Sequence, residues 1–218
     1  MKKPLLLALL LFLAVCARSQ KSSNGYVRAM QQQVDGIDTL HTAADWVARA
    51  HAFEHIAQAE PQEWLPLYYA AFCYTQAFNF EDDGKRQKHY CEQAEHFISR
   101  AEALQPNHSE ITLLKSMAAS LRLRLSPLLN GARYGRLADE LLNKAQQLDP
   151  NNPRVYVHRA SQLYFTPAIW GGDKQKAREM VEKAEQKYKT FRPASSLHPD
   201  WGRTTLRYLR SQMAQEKE

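Results

Sequence analysis

The sequence predicts an all-α fold, organised as an array of helical hairpins. Three observations carry this prediction. After residue 24, apolar residues return at three- and four-residue spacing, as in Trp46, Ala50, Phe53 and Ala57 and again in Leu141, Leu142, Ala145 and Leu148. That is the period of one helix face. No stretch sustains the alternation of β-branched residues that marks a strand. The prolines that punctuate the chain are evenly placed, with Pro61, Pro106 and Pro150 lying 45 and 44 residues apart. Self-similarity at such a period is the mark of stacked helical units. The composition agrees: 218 residues, 44% apolar and 24% charged, with 8 Gly, 10 Pro and 3 Cys. Those values exclude a disordered chain, a collagen-like repeat and a disulfide-dense mini-protein. A negative mean hydropathy excludes a multi-span membrane protein.

The first element is a leader. Met1-Lys2-Lys3-Pro4 precedes an unbroken apolar run of 12 residues from Leu5 to Cys16, then Ala17-Arg18-Ser19-Gln20. A basic start, a short apolar centre and small residues form a secretory signal peptide, and the run falls short of the roughly 20 residues a spanning helix needs. Cleavage fits after Ala17 or Ser19, so residues 1–19 are assigned to the signal. Leu13-Ala14-Val15-Cys16 also resembles a lipoprotein signal, although Val15 stands where a small residue is usual, which makes a lipid anchor at Cys16 the alternative. The expected location is periplasmic or secreted. Lys2, Lys3 and Arg18 belong to this acid-free leader, so the net charge of +6 falls to 26 basic against 23 acidic residues without it. Half of the basic excess is therefore an export signal, and nucleic acid is not an expected partner. Export leaves Cys73 and Cys91, an even number for an oxidising compartment. A bridge across one hairpin and burial as two separate thiols both remain open.

Nine helices follow, over about 25–35, 40–59, 63–78, 85–104, 109–125, 134–148, 153–165, 174–190 and 200–214. Glu60-Pro61, Gln105-Pro106-Asn107 and Asp149-Pro150-Asn151-Asn152-Pro153 end helices, and Ser109 or Asn152 is placed to cap the next one. Pro153 suits a first helical turn. The helices before Pro106 and Pro150 carry alanine pairs seven apart, Ala94 with Ala101 and Ala138 with Ala145; Ala177 and Ala184 repeat the pair. Two small residues on one face let a neighbouring helix approach closely. The last helix is expected to cap the array.

These residues resemble the tetratricopeptide (TPR) repeat family. Ala94, Ile98, Ala101 and Pro106, then Ala138, Leu142, Ala145 and Pro150 with Leu148-Asp149-Pro150-Asn151-Asn152, match that family's second helix and inter-repeat turn. Ala71, Ser116 and Ala160 fall at the small position of the first helix, and Tyr74 at the aromatic one. Thr112, Lys115 and Arg159 depart from the pattern, and the repeat is about ten residues longer than the family's usual 34. Thr166-Pro167-Ala168-Ile169-Trp170-Gly171-Gly172-Asp173 resembles long-hairpin TPR variants of exported bacterial proteins, among them periplasmic proteins that accompany TRAP-type transporters. The resemblance implies residues 20–39 as an N-terminal segment with the first helix, 40–190 as a solenoid of three to four repeats, and 191–218 as a capping helix and tail. It also implies a concave face lined by Tyr68, Phe72, Thr75, Leu113, Met117, Ser120, Val157, Ser161 and Tyr164.

Chemistry has fewer footholds. His51-Ala52-Phe53-Glu54-His55 matches the inverted zincin pattern His-x-x-Glu-His. Two His four apart on a helix can share a zinc, and the Glu can polarise bound water. Ala50, Phe53 and Ala57 give the same helix an ordinary packing stripe, and no further acidic ligand follows. No nucleophile motif or phosphate loop is present. The leading expectation is thus a non-catalytic scaffold or adaptor without cofactor. It would bind an envelope or periplasmic polypeptide, such as a transporter component, through the concave face, and touch a membrane only through Cys16. The alternatives are a periplasmic binding subunit for a small apolar ligand beside a transporter, and a zinc-dependent hydrolase at His51, Glu54 and His55.

Overall fold

The computed structural model describes residues 24–215; the expected signal peptide and Cys16 lie outside them. Nine α-helices and no strand occur among the described residues: α1 (24–34), α2 (Ala43–Ala59), α3 (Trp64–Asn79), α4 (Gly84–Leu104), α5 (Ser109–Leu125), α6 (Pro127–Leu148), α7 (Pro153–Phe165), α8 (Lys174–Thr190) and α9 (Arg203–Gln215). Short 3-10 turns at Ile37–Thr39 and Ala168–Trp170 complete the described secondary structure. The largest departure from the sequence expectation is α6, which begins at Pro127 rather than near 134. Pro127 takes the first turn, where a missing N–H leaves no hydrogen bond unmade, and the helix runs through Gly131 and Gly135.

The alanine pairs mark where helices meet. Ala94, Ala101, Ala138, Ala145, Ala177 and Ala184 are all buried. Against the α6 pair, Ser109 and Ser116 of α5 donate from Oγ to the carbonyls of Ala145 at 2.8 Å and Ala138 at 2.7 Å. Small residues thus permit both the close approach and a hydrogen bond into a neighbouring helix backbone. Ser109 was expected to cap α5. Instead His108 caps it, accepting from the Glu110 N–H through Nδ1 at 3.3 Å. Asn152 caps α7 as expected, accepting from the Arg154 N–H at 3.0 Å.

Two main cores result. One joins α1 through α7 around Phe53, Tyr69, Leu114 and Leu142, and takes in Leu197 and Trp201 from beyond α8. The other joins α7, α8 and α9 around Val157, Val181, Leu209 and Met213. Both cysteines are free and buried: Cys73 sits in the first core, and Cys91 packs with Phe78 and Leu121. Burial raises both thiols, Cys91 to about 12 and Cys73 further still.

After α8 the chain does not pass directly to its last helix. Residues 191–202 form a strap that returns across α3. The Leu197 carbonyl accepts from the Tyr69 hydroxyl at 3.0 Å, and the Trp201 carbonyl accepts from the Tyr188 hydroxyl at 2.6 Å. Gly202 then turns the strap into α9 with φ of 103°, and a Cβ there would lie 2.6 Å from the Tyr188 hydroxyl oxygen. A side chain meets both the left-handed backbone penalty and a clash with a hydrogen-bonded group. Gly202→Ala is therefore expected to destabilise the protein by about 2 kcal/mol in chemical denaturation. An unchanged midpoint would show that the strap turn is not constrained in this way.

Candidate functional site

The centre of the molecule is polar. Glu110 and Arg154 are both buried, and the Arg154 Nε donates to both Glu110 oxygens at 2.9 and 3.0 Å. Around the pair, the Tyr68 hydroxyl donates to Glu110 Oε2 at 3.0 Å, and Asn152 Nδ2 donates to Glu110 Oε1 at 2.6 Å. Trp201 Nε1 completes the group by donating to the Tyr68 oxygen at 2.8 Å. Phe191 lies beneath the guanidinium, 4.6 Å from its ring centroid. Burial and the neighbouring Glu110 carboxylate push the Tyr68 hydroxyl well above its usual range, so it stays a donor. One carboxylate thereby ties α3, α5, α7 and the strap together.

This arrangement decides how much of the expected concave face is open. Tyr68 and Phe72 lie under Trp201, whose ring stacks on Phe72 with centroids 4.4 Å apart. Tyr68, Phe72, Thr75, Leu113, Val157 and Tyr164 are buried, whereas Met117, Ser120 and Ser161 are half-buried. Six of the nine residues are thus buried, Tyr68 and Phe72 beneath the strap and Val157 and Tyr164 in the second core. Ser120 and the α7 side chain Gln162 meet at 3.2 Å. One turn beyond Ser161, Phe165 is 57% exposed and stacks at 6.3 Å on Tyr208 of α9, itself 52% exposed. Phe165 and Tyr208 thus form an exposed aromatic pair between α7 and α9, and Met117, Ser120, Ser161 and Gln162 lie half-buried along α5 and α7. Arg124, one turn beyond Ser120, places its guanidinium 4.8 Å from the Phe78 ring centroid and donates to Asn79 Oδ1 at 2.6 Å.

Phe165 and Tyr208 escaped the sequence reading because helical apolar residues are ordinarily assigned to a core. Their exposure depends on where α7 ends and where α9 returns, which local periodicity does not encode. Trp201 fell within the expected last helix over about 200–214, whereas the observed helix starts at Arg203. A Trp-Gly pair after a proline is the one signal that pointed to a fixed turn.

His51 and His55 are exposed on α2, and Glu54 accepts from the Tyr74 hydroxyl at 2.6 Å. Among the described residues no group of three His, Cys, Asp or Glu is arranged to hold a metal ion. Two open clefts of about 390 and 300 Å3 lie elsewhere, one beside Asn143 and Gln147 and the other beside Arg122 and Tyr134. His158, one turn before Gln162, has an enclosed Nε2 without a hydrogen-bond partner. Burial, reinforced by Arg159, lowers it to about 4 and holds it neutral.

The chain is similar to the solved structure of the HusA haemophore from Porphyromonas gingivalis. The two share 33% identity with a TM-score of 0.76, over 88% of this chain and 94% of the other. No protein-family model matches the chain, and none of the curated proteins does. The expectation of a polypeptide-binding scaffold is corrected by this similarity, since the neighbour carries the name of a haem-binding protein. The physical reason lies in the strap. An adaptor needs its binding face open, and Trp201 covers Tyr68 and Phe72, two of the residues expected to line that face.

Three histidines oppose the folded state when protonated. Burial lowers His158, His108 and His198 below the usual value. The unfolded chain therefore takes up protons near pH 6.5 that the folded chain refuses. Stability is expected to be full above about pH 6.5 and to fall as the pH drops towards 5. Denaturation at a series of pH values measures this, and His158→Gln is expected to flatten the slope. A wild-type profile level across that window would contradict the assignment.

Proposed function

We propose that this chain, which belongs to the family of the HusA haemophore, is an exported haem-binding protein that holds its ligand on the open end of its concave face. The supporting observation is the agreement between that kinship and the exposed aromatic pair of Phe165 and Tyr208. Haem is a flat apolar macrocycle carrying two carboxylates. Stacked aromatic rings and a polarizable thioether suit the macrocycle face. The exposed Arg124 guanidinium, held over Phe78 and bonded to Asn79 of α3, is of the kind that suits a carboxylate. The paired helices and their alanine contacts are read as TPR-like hairpins, here serving a small ligand rather than a peptide.

The site supplies contact and not chemistry, so the protein acts as a carrier. His158 is the nearest candidate for an iron ligand along α7, but its Nε2 is enclosed. Affinity therefore rests on apolar contact, and α5 and α7 need not separate. Export, inferred from residues 1–19, places a carrier where haem from outside the cell is met. The buried strap end, at Tyr68 and Phe72, takes no part in contact with the ligand.

Haem titration followed by its Soret absorbance tests this assignment. Phe165→Ala with Tyr208→Ala is expected to weaken binding at least about tenfold, or 1.4 kcal/mol, because two aromatic contacts are removed. Phe80→Ala, on a separate hairpin tip, is expected to leave affinity unchanged. Wild-type affinity in the double variant with intact helicity would move the site elsewhere.

A further inference from the structure

Four apolar side chains project from the molecule at two helix connections. Leu128 and Leu129 are 98% and 89% exposed, and Ile169 and Trp170 are 85% and 75% exposed. The first pair stands on the opening turn of α6, at the tip of the α5–α6 hairpin. The second stands on the 3-10 turn of the α7–α8 connection.

The two tips lie at the same end of the molecule. Glu110 of α5 meets Arg154 of α7 near their N-terminal ends, and Ser120 meets Gln162 further along. The helices therefore run side by side in one direction, and their C-terminal connections emerge together. The α7–α8 tip is also stiff. Gly171 adopts φ of 93°, and a Cβ on Gly172 would fall 1.7 Å from the Thr166 carbonyl oxygen. The Asp173 N–H donates to the Leu163 carbonyl at 3.0 Å, while Asp173 caps α8. This closed turn holds Ile169 and Trp170 outward.

Charge accompanies them. Residues 124–136 contain Arg124, Arg133 and Arg136 and no acidic residue, and all three arginines are exposed. The α3–α4 tip differs: it carries Phe80 but also Glu81, Asp82 and Asp83. Protruding leucines, a tryptophan and adjacent arginines match an interfacial contact, with the apolar side chains entering the acyl boundary and the guanidiniums meeting phosphates. A small ligand would need a concave wall that encloses most of its surface, which two projecting tips do not offer. We propose that the α5–α6 and α7–α8 tips dock this protein on an anionic lipid surface, beside the aromatic pair assigned to haem. This second membrane contact needs no lipid at Cys16.

The test uses the chain from Gln20 onward, so that the apolar run at residues 5–16 takes no part. It is sedimented with phosphatidylcholine vesicles made with and without phosphatidylglycerol, at low and high salt. Binding is expected with phosphatidylglycerol, several-fold weaker without it, and weakened by salt. Trp170 fluorescence, isolated by difference against Trp170→Phe, is expected to shift to the blue on binding. Leu128→Asp with Leu129→Asp is expected to cut vesicle binding at least about tenfold while leaving helicity and haem titration unchanged. Vesicle binding that the double variant retains would overturn the proposal. So would a wild-type chain that ignores anionic vesicles, or one that self-associates through these leucines without binding them. Because haem is titrated in the same samples, failure here is distinct from failure of the haem assignment.

Discussion

The buried pair of Glu110 and Arg154 is the constraint on which the rest of the structure depends. Removing two charges from water costs several kcal/mol each, and their attraction recovers this only with good geometry and saturated oxygens. Here the carboxylate receives Arg154 Nε, the Asn152 amide and the Tyr68 hydroxyl. The pair therefore contributes little net stability relative to an apolar replacement, but it fixes position. Loss of either partner leaves a buried charge exposed to the full desolvation cost. α7 can sit on α5 in one register only, and Tyr68 is held where its oxygen accepts from Trp201.

The proposed binding site depends on that geometry through the strap. Trp201 reaches the Tyr68 oxygen, stacks on Phe72 and passes its carbonyl to Tyr188. Gly202 then turns the chain into α9. The position of α9 brings Tyr208 against Phe165 and so creates the aromatic pair. The charge pair thus fixes Tyr68, and with it the strap that covers Phe72 and leads into α9. In a groove left wholly open, a peptide would be the natural guest. Under the proposed haem-binding reading, the exposed pair of Phe165 and Tyr208 suits a flat ligand.

Much of the helical plan was legible because its determinants are local. Proline breaks, alanine pairs and cap residues act within a few residues of themselves, and α3, α5, α7 and α8 match expectation closely. The start of α6 was missed because Asn130-Gly131 looks like a turn, whereas Pro127 can open a helix ahead of it. The site was less legible. Tyr68 and Trp201 are 133 residues apart, and no periodic pattern links them. Glu110 and Arg154 look like ordinary solvated charges on helices that otherwise bury their apolar faces. Ser109 looks like a cap, yet its hydroxyl serves α6. Met117, Ser120 and Ser161 were singled out in advance, but only the position of the strap separates them from Tyr68 and Phe72.

Methyl-labelled methionine offers the most direct test of where the ligand sits. Met117 borders the proposed site, Met30 is sealed in the first core, and Met213 is buried among α7, α8 and α9. Zinc protoporphyrin, a diamagnetic stand-in for haem, shifts nearby methyl resonances through its ring current. A large shift is expected at Met117, with Met30 and Met213 nearly unmoved. A shift centred on Met30 or Met213, or none at Met117 under saturation, would contradict this placement of the ligand.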